Sequence, residues 1–301
     1  MLPFFFVIGL IFALIGGLLL YASAQVQMIR IDYTHCAQDA PLSDTLSDSM
    51  NFDPVPSNDV SWQFKTQNEA PTVTWGRVQD FPYQYAIPPI TLNSTICRLE
   101  FSIPESMGPP VLFYYMLDNF YQNHRRYVTS ADAAQLKGER SNASSCSPMA
   151  VDDDTGLPIY PCGLIANSLF NDTFGAPVLL NVPTNGGASG SQANENYTMV
   201  STGIAWNSDK SLYGKTAYAN DEVMPPQNWR KRYPKYDDNT PIPNLHDDEH
   251  FQVWMRTAGL PTFSKLYMRN DTAPMQRGTY RVDIVDSKIL RFSRARSCFL
   301  S

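Results

Sequence analysis

The run LPFFFVIGLIFALIGGLLLYA, residues 2–22, sets the architecture of this chain. It contains no charged side chain, and the first one along the chain is Arg30. With a helical rise of ~1.5 Å per residue, a run of this length is enough to cross the ~30 Å hydrocarbon core of a bilayer. We therefore predict a transmembrane helix over residues 2–22, which anchors a domain formed by residues 23–301.

A cleaved signal peptide is the alternative interpretation of the same run. Ala22-Ser23-Ala24 fits the small-residue pattern of a cleavage site. However, no charged segment precedes the run, and the run is longer than the ~7–15 apolar residues of a typical signal peptide. A retained anchor is therefore favoured. The basic residues near the run say almost nothing about its orientation.

Short segments typical of strands follow the apolar run. Met28 and Arg30 alternate with Ile29, Ile31 and Tyr33, which is the period of a half-buried strand. Further alternating or β-branched segments lie at 60–64, 72–75, 97–103, 111–117 and 280–284. This number of separate strands predicts a mainly β domain, an antiparallel β-sandwich with a few short helices.

Three helices are predicted from capping residues and periodicity. Asn119 is expected to cap one helix, and Ser130 a second one at 131–136. The third, at 246–258, places its apolar residues on one face. The segment 184–196 is rich in Gly, Ser and Asn and is expected to be an exposed insertion.

Composition and charge narrow the classes of partner. Of 301 residues, 43% are hydrophobic and 17% are charged, against a usual charged fraction of ~25%, so the chain can bury a large core. The formal net charge is −6. Because binding to nucleic acid depends on clustered Lys and Arg, no nucleic-acid partner is expected.

Five Asn-x-Ser/Thr sequons point to the secretory pathway. N-linked glycans are added only there, so five sequons favour a lumenal or extracellular domain. The acceptors are Asn93, Asn142, Asn171, Asn196 and Asn270.

The five cysteines suit disulfides better than a metal site. Cys36, Cys97, Cys146 and Cys162 form no CxxC or CxxxC pair. Spacing favours a local Cys146–Cys162 bridge, which leaves Cys36 to pair with Cys97. Pairings that involve the fifth cysteine, Cys298, remain open.

Candidate catalytic groups are few. The chain has no GxSxG, GxxxxGK[ST] or HExxH motif. In His246-Asp247-Asp248-Glu249-His250, a helix would place His246 and His250 on one face, at the spacing of zinc ligands. A membrane-tethered lumenal metalloenzyme is therefore the alternative function. The favoured interpretation is an acidic helix start without metal, and no cofactor is predicted.

Two further polar clusters are interpreted as structural. Asp152-Asp153-Asp154 lacks the spaced oxygen ligands of a calcium loop and is expected to be a solvated turn. His124-Arg125-Arg126 has no nucleophile placed to use it and is expected to be a polar anchor within the fold.

Small residues recur every four positions in the apolar run. Gly9, Ala13 and Gly17 share one face of a helix, and small residues allow two helices to approach closely in lipid. The alternative is that glycine is simply frequent in membrane helices. The pattern predicts packing against a partner helix.

Three blocks resemble the signatures of the cell-cycle control protein 50 / ligand-effect modulator family. They are FYQNHRRYV at 120–128 with QL and G at 135–138, PCGLIANSLFNDTF at 161–174, and FQVWMRTA at 251–258 with LPTF and KLY at 260–267. IDYT at 31–34 extends the resemblance towards the apolar run.

The resemblance implies a non-catalytic β-subunit of type IV P-type ATPases, the phospholipid flippases. Such a subunit escorts the ATPase from the endoplasmic reticulum and supports its transport cycle in the endoplasmic reticulum, Golgi, endosomal or plasma membrane. Its partners are the catalytic subunit and membrane lipid, and the catalytic steps belong to the ATPase. The family's disulfide maps onto Cys146 and Cys162, and a family glycosylation site maps onto Asn171.

The sequence departs from the family pattern in three places. The second transmembrane helix and the N-terminal cytosolic tail of the family are absent, as expected of a fragment. Many relatives have a denser cysteine cluster where this chain has only Cys36 and Cys97.

Overall fold

The computed structural model describes residues 2–65, 70–180, 194–286 and 294–300, with side chains from Phe4 to Asp286 within those ranges. It begins with helix α1, Leu2–Ala24, two residues longer than the predicted span. The stretch Phe4–Ala24 has the length and apolar composition to cross a membrane, and none of its most apolar window is buried against the rest of the molecule. The predicted apolar helix is confirmed.

Twelve strands are formed by the described residues. They are β1 Met28–Asp32, β2 Asp53–Pro54, β3 Val60–Gln63, β4 Val73–Tyr85, β5 Ile90–Ile103, β6 Val111–Asp118, β7 Thr173–Phe174, β8 Val178–Leu180, β9 Glu195–Asn196, β10 Phe263–Asn270, β11 Gly278–Asp286 and β12 Arg294–Leu300.

The helices that follow α1 are short. They are α2 Cys36–Asp39, α3 Arg125–Val128, α4 Ala133–Leu136, α5 Leu164–Asn167, α6 Asn207–Lys210 and α7 Glu249–Met255, with single 3-10 turns at Ser57–Asp59, Ser144–Cys146 and Gln227–Trp229.

The strands form two antiparallel sheets. The first has the order β10-β6-β12-β1-β3, and the second has the order β2-β4-β5-β11-β8-β9, with β7 also paired to β11. In the first sheet Met28 pairs with both Leu300 and Gln63. The start of β1 and the end of β12 therefore lie at the end of the sheet that is next to the C-terminus of α1. The β-rich class predicted from the sequence is confirmed.

Alternating side chains of both sheets fill one shared core. On β1, Ile29 and Ile31 are fully buried. They belong to the same apolar cluster as Phe113 of β6, Phe101 of β5 and Val282 of β11. Since strand side chains alternate between faces, one face of each sheet supplies the core between them.

A second apolar cluster lies under the irregular segments 213–245 and α7. It is rich in aromatic rings that have no strand periodicity and includes Tyr160, Tyr213, Trp229, Tyr236 and Phe251. Tertiary packing, rather than a repeating pattern, therefore builds this part of the domain.

The predicted helix starts are wrong at two positions. Asn119 has a left-handed φ of 60° and forms a turn after β6, so the helix begins only at Arg125. Ser130 does not cap α4, because the Asp132 carboxylate accepts from the Gln135 amide instead. A helix start depends on which nearby side chain reaches the free amides, and several polar residues compete here.

The third predicted helix, 246–258, is also shorter than expected. It spans Glu249–Met255, and Asp248 caps it by accepting from the Phe251 amide at 2.9 Å. Most of the predicted insertion at 184–196 lies outside the described residues.

Candidate functional site

The three sequence blocks that carry the resemblance meet in one place. Trp254 of α7 is completely buried, and its indole N–H donates to the Ile165 carbonyl of α5 at 2.8 Å. The Trp254 ring also packs edge-on against Phe120 with centroids 5.6 Å apart. One side chain thus joins blocks that are about 90 and 130 residues away in the chain.

Polar side chains tie the same blocks together. The Gln122 side-chain carbonyl accepts from the Ala258 amide at 2.8 Å. The Tyr127 and Ser168 hydroxyls lie 2.8 Å apart, and burial raises the pKa of Tyr127 to about 12. A buried and fully paired network of this kind fixes the mutual position of the three segments.

Ser130 and Gln135 hold the Pro-Cys-Gly segment. The Ser130 hydroxyl accepts from the Leu164 amide and donates to the Cys146 carbonyl. Gln135 is fully buried, donates to the Ile159 carbonyl and accepts from the Cys162 amide at 2.8 Å. Ser130 therefore joins the segments around Cys146 and Leu164. It is not the helix cap that the sequence predicts.

Gly163 is required by the backbone around it. Its φ is +99°, and a Cβ there would lie 2.1 Å from the Ser130 carbonyl oxygen. Glycine is the residue that combines a left-handed backbone with such a close approach. This gives a physical reason for glycine after Pro161-Cys162.

Two disulfides cross-link the domain. Cys36 of α2 is joined to Cys97 of β5, with Cα atoms 6.1 Å apart. Cys146 is joined to Cys162, with Cα atoms 5.7 Å apart. Cys298 takes part in neither bridge and lies on β12, where its backbone pairs with Arg30 and Tyr114.

The His124-Arg125-Arg126 cluster is not the polar anchor that the sequence predicts. All three side chains are exposed, while the neighbouring Gln122 is fully buried. The anchoring within this block comes from Gln122 and Tyr127 instead.

The two histidines of the metalloenzyme hypothesis do not share a helix face. His246 precedes α7 in an exposed turn, where its ring Nδ1 forms a hydrogen bond with the Asp247 carboxylate. His250 is half-buried, lies 4.3 Å from the Tyr267 ring between centroids, and has a pKa lowered by burial against the opposing charges of Asp248 and Glu249. Within the described residues no three His, Cys, Asp or Glu side chains group as metal ligands. The metalloenzyme alternative is not supported.

The solvated turn predicted at Asp152-Asp153-Asp154 holds for Asp153 and Asp154, which are exposed in a turn, but it is wrong for Asp152. The residue is 2% exposed and forms an ion pair with Arg230. The Thr155 hydroxyl donates to its other carboxylate oxygen at 2.8 Å. The Arg230 and Thr155 hydrogen bonds outweigh burial and lower the pKa of Asp152. The Asp-x-x-Thr spacing was the available signal, since such pairs favour local turns.

The Glu249 carboxylate anchors the loop at residues 203–205, a contact that no pattern in the sequence predicts. The carboxylate accepts from the backbone amides of Gly203, Ile204 and Ala205 and pairs with Lys210 at 2.8 Å. Burial alone would raise its pKa, but the hydrogen bonds from Lys210 and the amides lower it to about 2.

Glu249→Gln should therefore make the domain less stable at neutral pH. The folded pKa is below the ordinary value of 4.5, so the carboxylate stabilises the fold above pH 4.5 and loses this effect as pH falls towards 2. The shift corresponds to about 3 kcal/mol by linkage. Denaturant titrations should show this gap between wild type and variant at pH 7, and a much smaller gap at pH 3.

The matched control for this prediction is Glu139→Gln, on an exposed side chain of the same domain. A gap between wild type and Glu249→Gln that does not change between pH 7 and pH 3 would contradict the assigned role of Glu249.

The sequon asparagines differ in their surroundings. Asn93, Asn142 and Asn196 are exposed. Asn270 is partly exposed, and its side chain donates to the Thr198 carbonyl at 2.7 Å. Asn171 is also partly exposed and lines a cleft between the β4–β5 hairpin and the segment before α7.

Gly9, Ala13 and Gly17 lie along one exposed face of α1. A Cβ added at Gly9 or Gly17 would meet nothing within 4 Å, so this face is open. The remaining α1 surface is formed by large apolar side chains such as Phe12 and Leu20, which are 68% and 75% exposed.

Comparison with known proteins identifies the family. The family model described as LEM3 (ligand-effect modulator 3) family / CDC50 family matches residues 19–301. The chain is 38% identical to the phospholipid-transporting ATPase accessory subunit CDC50 of Chaetomium thermophilum, over 98% of this chain and 72% of that protein. It is 36% identical to the phospholipid-transporting ATPase accessory subunit CRF1 of Saccharomyces cerevisiae, over 94% of this chain and 66% of that protein.

A mammalian relative gives the same result. The chain is 33% identical to cell cycle control protein 50A of Mus musculus, over 94% of this chain and 68% of that protein. The chain thus spans about two thirds to three quarters of the length of these relatives, and the family resemblance seen in the three blocks is confirmed. This chain belongs to the LEM3/CDC50 family.

Proposed function

We propose that this chain is a non-catalytic accessory subunit of a phospholipid-transporting type IV P-type ATPase, needed for exit of the ATPase from the endoplasmic reticulum and for its transport cycle. Residues 2–22 span the membrane, and residues 23–301 form a lumenal or extracellular domain. The observation that carries the proposal is the match along 98% of the chain to a relative named as such an accessory subunit.

The use of the signature residues supports a binding role. Gln122, Tyr127 and Trp254 hold the three blocks together by packing and hydrogen bonds. None of them is presented as a reactive group at the surface. Such residues maintain the shape of a domain that another subunit recognises.

The placement of the sheet supports a domain that lies directly on the membrane. The Gln63 side chain donates to the Ser23 carbonyl at the end of α1. Met28 and Leu300 lie at the same end of this sheet. Because only Gln25, Val26 and Gln27 separate α1 from β1, the domain stays close to the anchor and to the spans of a partner.

Affinity capture of the full-length chain tests the proposal. Mass spectrometry of the purified complex should find a type IV P-type ATPase enriched over a capture with an unrelated single-span glycoprotein. Glycans on the sequons of the same material would support the lumenal placement and entry into the endoplasmic reticulum, Golgi, endosomal or plasma membranes. No enrichment of any P-type ATPase would contradict the proposal.

We expect the face of Gly9, Ala13 and Gly17 to pack against a helix of the ATPase. A leucine at Ala13 or Gly17 would separate the two backbones and remove the close contacts that drive association in lipid. Ala13→Leu and Gly17→Leu should therefore recover less ATPase in co-immunoprecipitation, while insertion and glycosylation are unchanged.

Leu14→Ile is the control for this prediction, since it changes a large residue on another face of α1. Equal recovery of ATPase by Ala13→Leu, Gly17→Leu and Leu14→Ile would show that this face is not the interface.

A further inference from the structure

A cleft of about 540 Å³ separates the end of the β4–β5 hairpin from the segments around Trp229 and α7. The hairpin pairs as far as Tyr85 and Ile90, whereas β11 pairs with β5 only from Thr95 onward. Residues 81–94 therefore form a two-stranded arm that extends beyond the sheet. The arm forms one wall of the cleft.

The cleft combines aromatic surface with polar edges. Its arm side contains Tyr85, Ile87 and Leu92, and its other side contains Trp229 and Tyr233. Small-molecule sites have this composition, with apolar walls and a few polar groups that orient the ligand. A sugar ring fits such walls because it has a C–H face for aromatic contact and hydroxyls for the edges.

The charges along the cleft favour a neutral ligand. Lys231 and Arg232 lie on its lining together with Asp247 and Asp248. Glu249 on the same lining is already paired with Lys210. Since neither sign dominates, an anionic or cationic ligand gains little from this arrangement.

Asn171 is the one sequon acceptor that lines the cleft among the described residues. Arg232 fixes the backbone of the sequon, because one guanidinium nitrogen donates both to the Asn171 backbone carbonyl at 2.7 Å and to the Thr173 hydroxyl at 3.0 Å. The same guanidinium lies 4.1 Å from the centre of the Tyr85 ring. Arg232 thus fastens the sequon and the arm to each other.

We infer that this cleft seats the first sugars of an N-linked glycan on Asn171. The inference rests on the lumenal placement in the proposed function. The occupant is neutral and is tethered at the cleft through the Asn171 side chain, beside the arm that forms one wall. The glycan thereby becomes part of the packing between the arm and the body of the domain.

Site-resolved deglycosylation of the full-length native protein tests the inference. A glycosidase that cleaves near the protein should release the Asn171 glycan about tenfold more slowly than the Asn93 glycan, which corresponds to about 1.4 kcal/mol in favour of the seated glycan. After denaturation the two rates should be equal. Equal rates on the native protein, or an unmodified Asn171 beside occupied Asn93 and Asn142, would overturn the inference.

Variants of the arm separate seating in the cleft from simple shielding of the sequon. Ile87→Ala and Leu92→Ala remove arm side chains from the cleft and should speed release at Asn171 without changing release at Asn142. Ile87 is 77% exposed, so its variant should fold. Val151→Ala, on an exposed residue away from the cleft, is the matched control. No acceleration by the folded Ile87→Ala variant would overturn the inference.

Two further outcomes identify what has failed. Protection of Asn171 that appears only when the ATPase is co-expressed would show that the partner covers the cleft, and would overturn the inference. If no sequon of the chain is modified, the lumenal placement itself fails, and so does the inference that rests on it. ATPase capture, measured on the same material, tests the accessory role separately.

Discussion

Trp254→Ala should destabilise the domain by about 3–5 kcal/mol, the usual cost of removing a large buried aromatic side chain. The indole is completely buried, and its N–H is paired with the Ile165 carbonyl. Alanine would leave a cavity between Phe120 and Phe263. It would also remove the shorter of the two hydrogen bonds to the Ile165 carbonyl, which would keep only the one from the Ser168 hydroxyl at 3.2 Å. All three signature blocks would lose a shared contact.

Denaturant titration of the detergent-solubilised full-length protein, followed by far-UV circular dichroism, measures this effect. In cells the same variant should be retained in the endoplasmic reticulum, because a loss of this size is a large share of domain stability.

The control for Trp254→Ala is His246→Ala, because this side chain is 55% exposed and lies outside α7. A double change that includes His250 is less suitable, since the His250 ring packs on Tyr267. A loss below about 1 kcal/mol for Trp254→Ala, within the range of surface substitutions and small core changes, would contradict its central role.

Removing the Cys36–Cys97 bridge by a double change to serine should cost about 4 kcal/mol by the chain-entropy relation, because a long loop is released. The two residues are 61 positions apart. Removing the Cys146–Cys162 bridge, with a separation of 16, should cost about 3 kcal/mol. Retention in the endoplasmic reticulum should follow in both cases.

Unfolding measurements on the two double variants test both the size and the order of these costs, with Cys298→Ser as the control outside both bridges. Peptide mapping without reduction gives the pairing directly. Free thiols at all four positions in material from the secretory pathway would contradict the prediction.

The sequence by itself was sufficient for features that depend on local pattern. An uncharged run of 21 residues has few options other than a long apolar helix, and α1 spans it. The period of two at Ile29, Ile31 and Tyr33 determined which side chains are buried, because a strand alternates its faces. The family could also be identified from the sequence, since its three motifs are long and follow one another along the chain in the family's order.

Capping was predictable only in kind. Asp132 and Asp248 cap α4 and α7 in the structure, close to the positions that the sequence suggested. Which of several neighbouring polar residues takes the role depends on where the chain enters the helix. Ser130 does not cap α4 because its hydroxyl already donates to the Cys146 carbonyl and accepts from the Leu164 amide.

Only the tertiary structure decided how distant residues combine. The bond from Trp254 to Ile165, the ion pair of Asp152 with Arg230 and the hold of Glu249 on the Gly203–Ala205 loop each connect segments more than 40 residues apart. No sequence period relates such partners, because their distance is set by how the sheets and loops pack. The cleft beside Asn171 arises in the same way, from an arm that extends beyond its sheet and an arginine that reaches it from another segment.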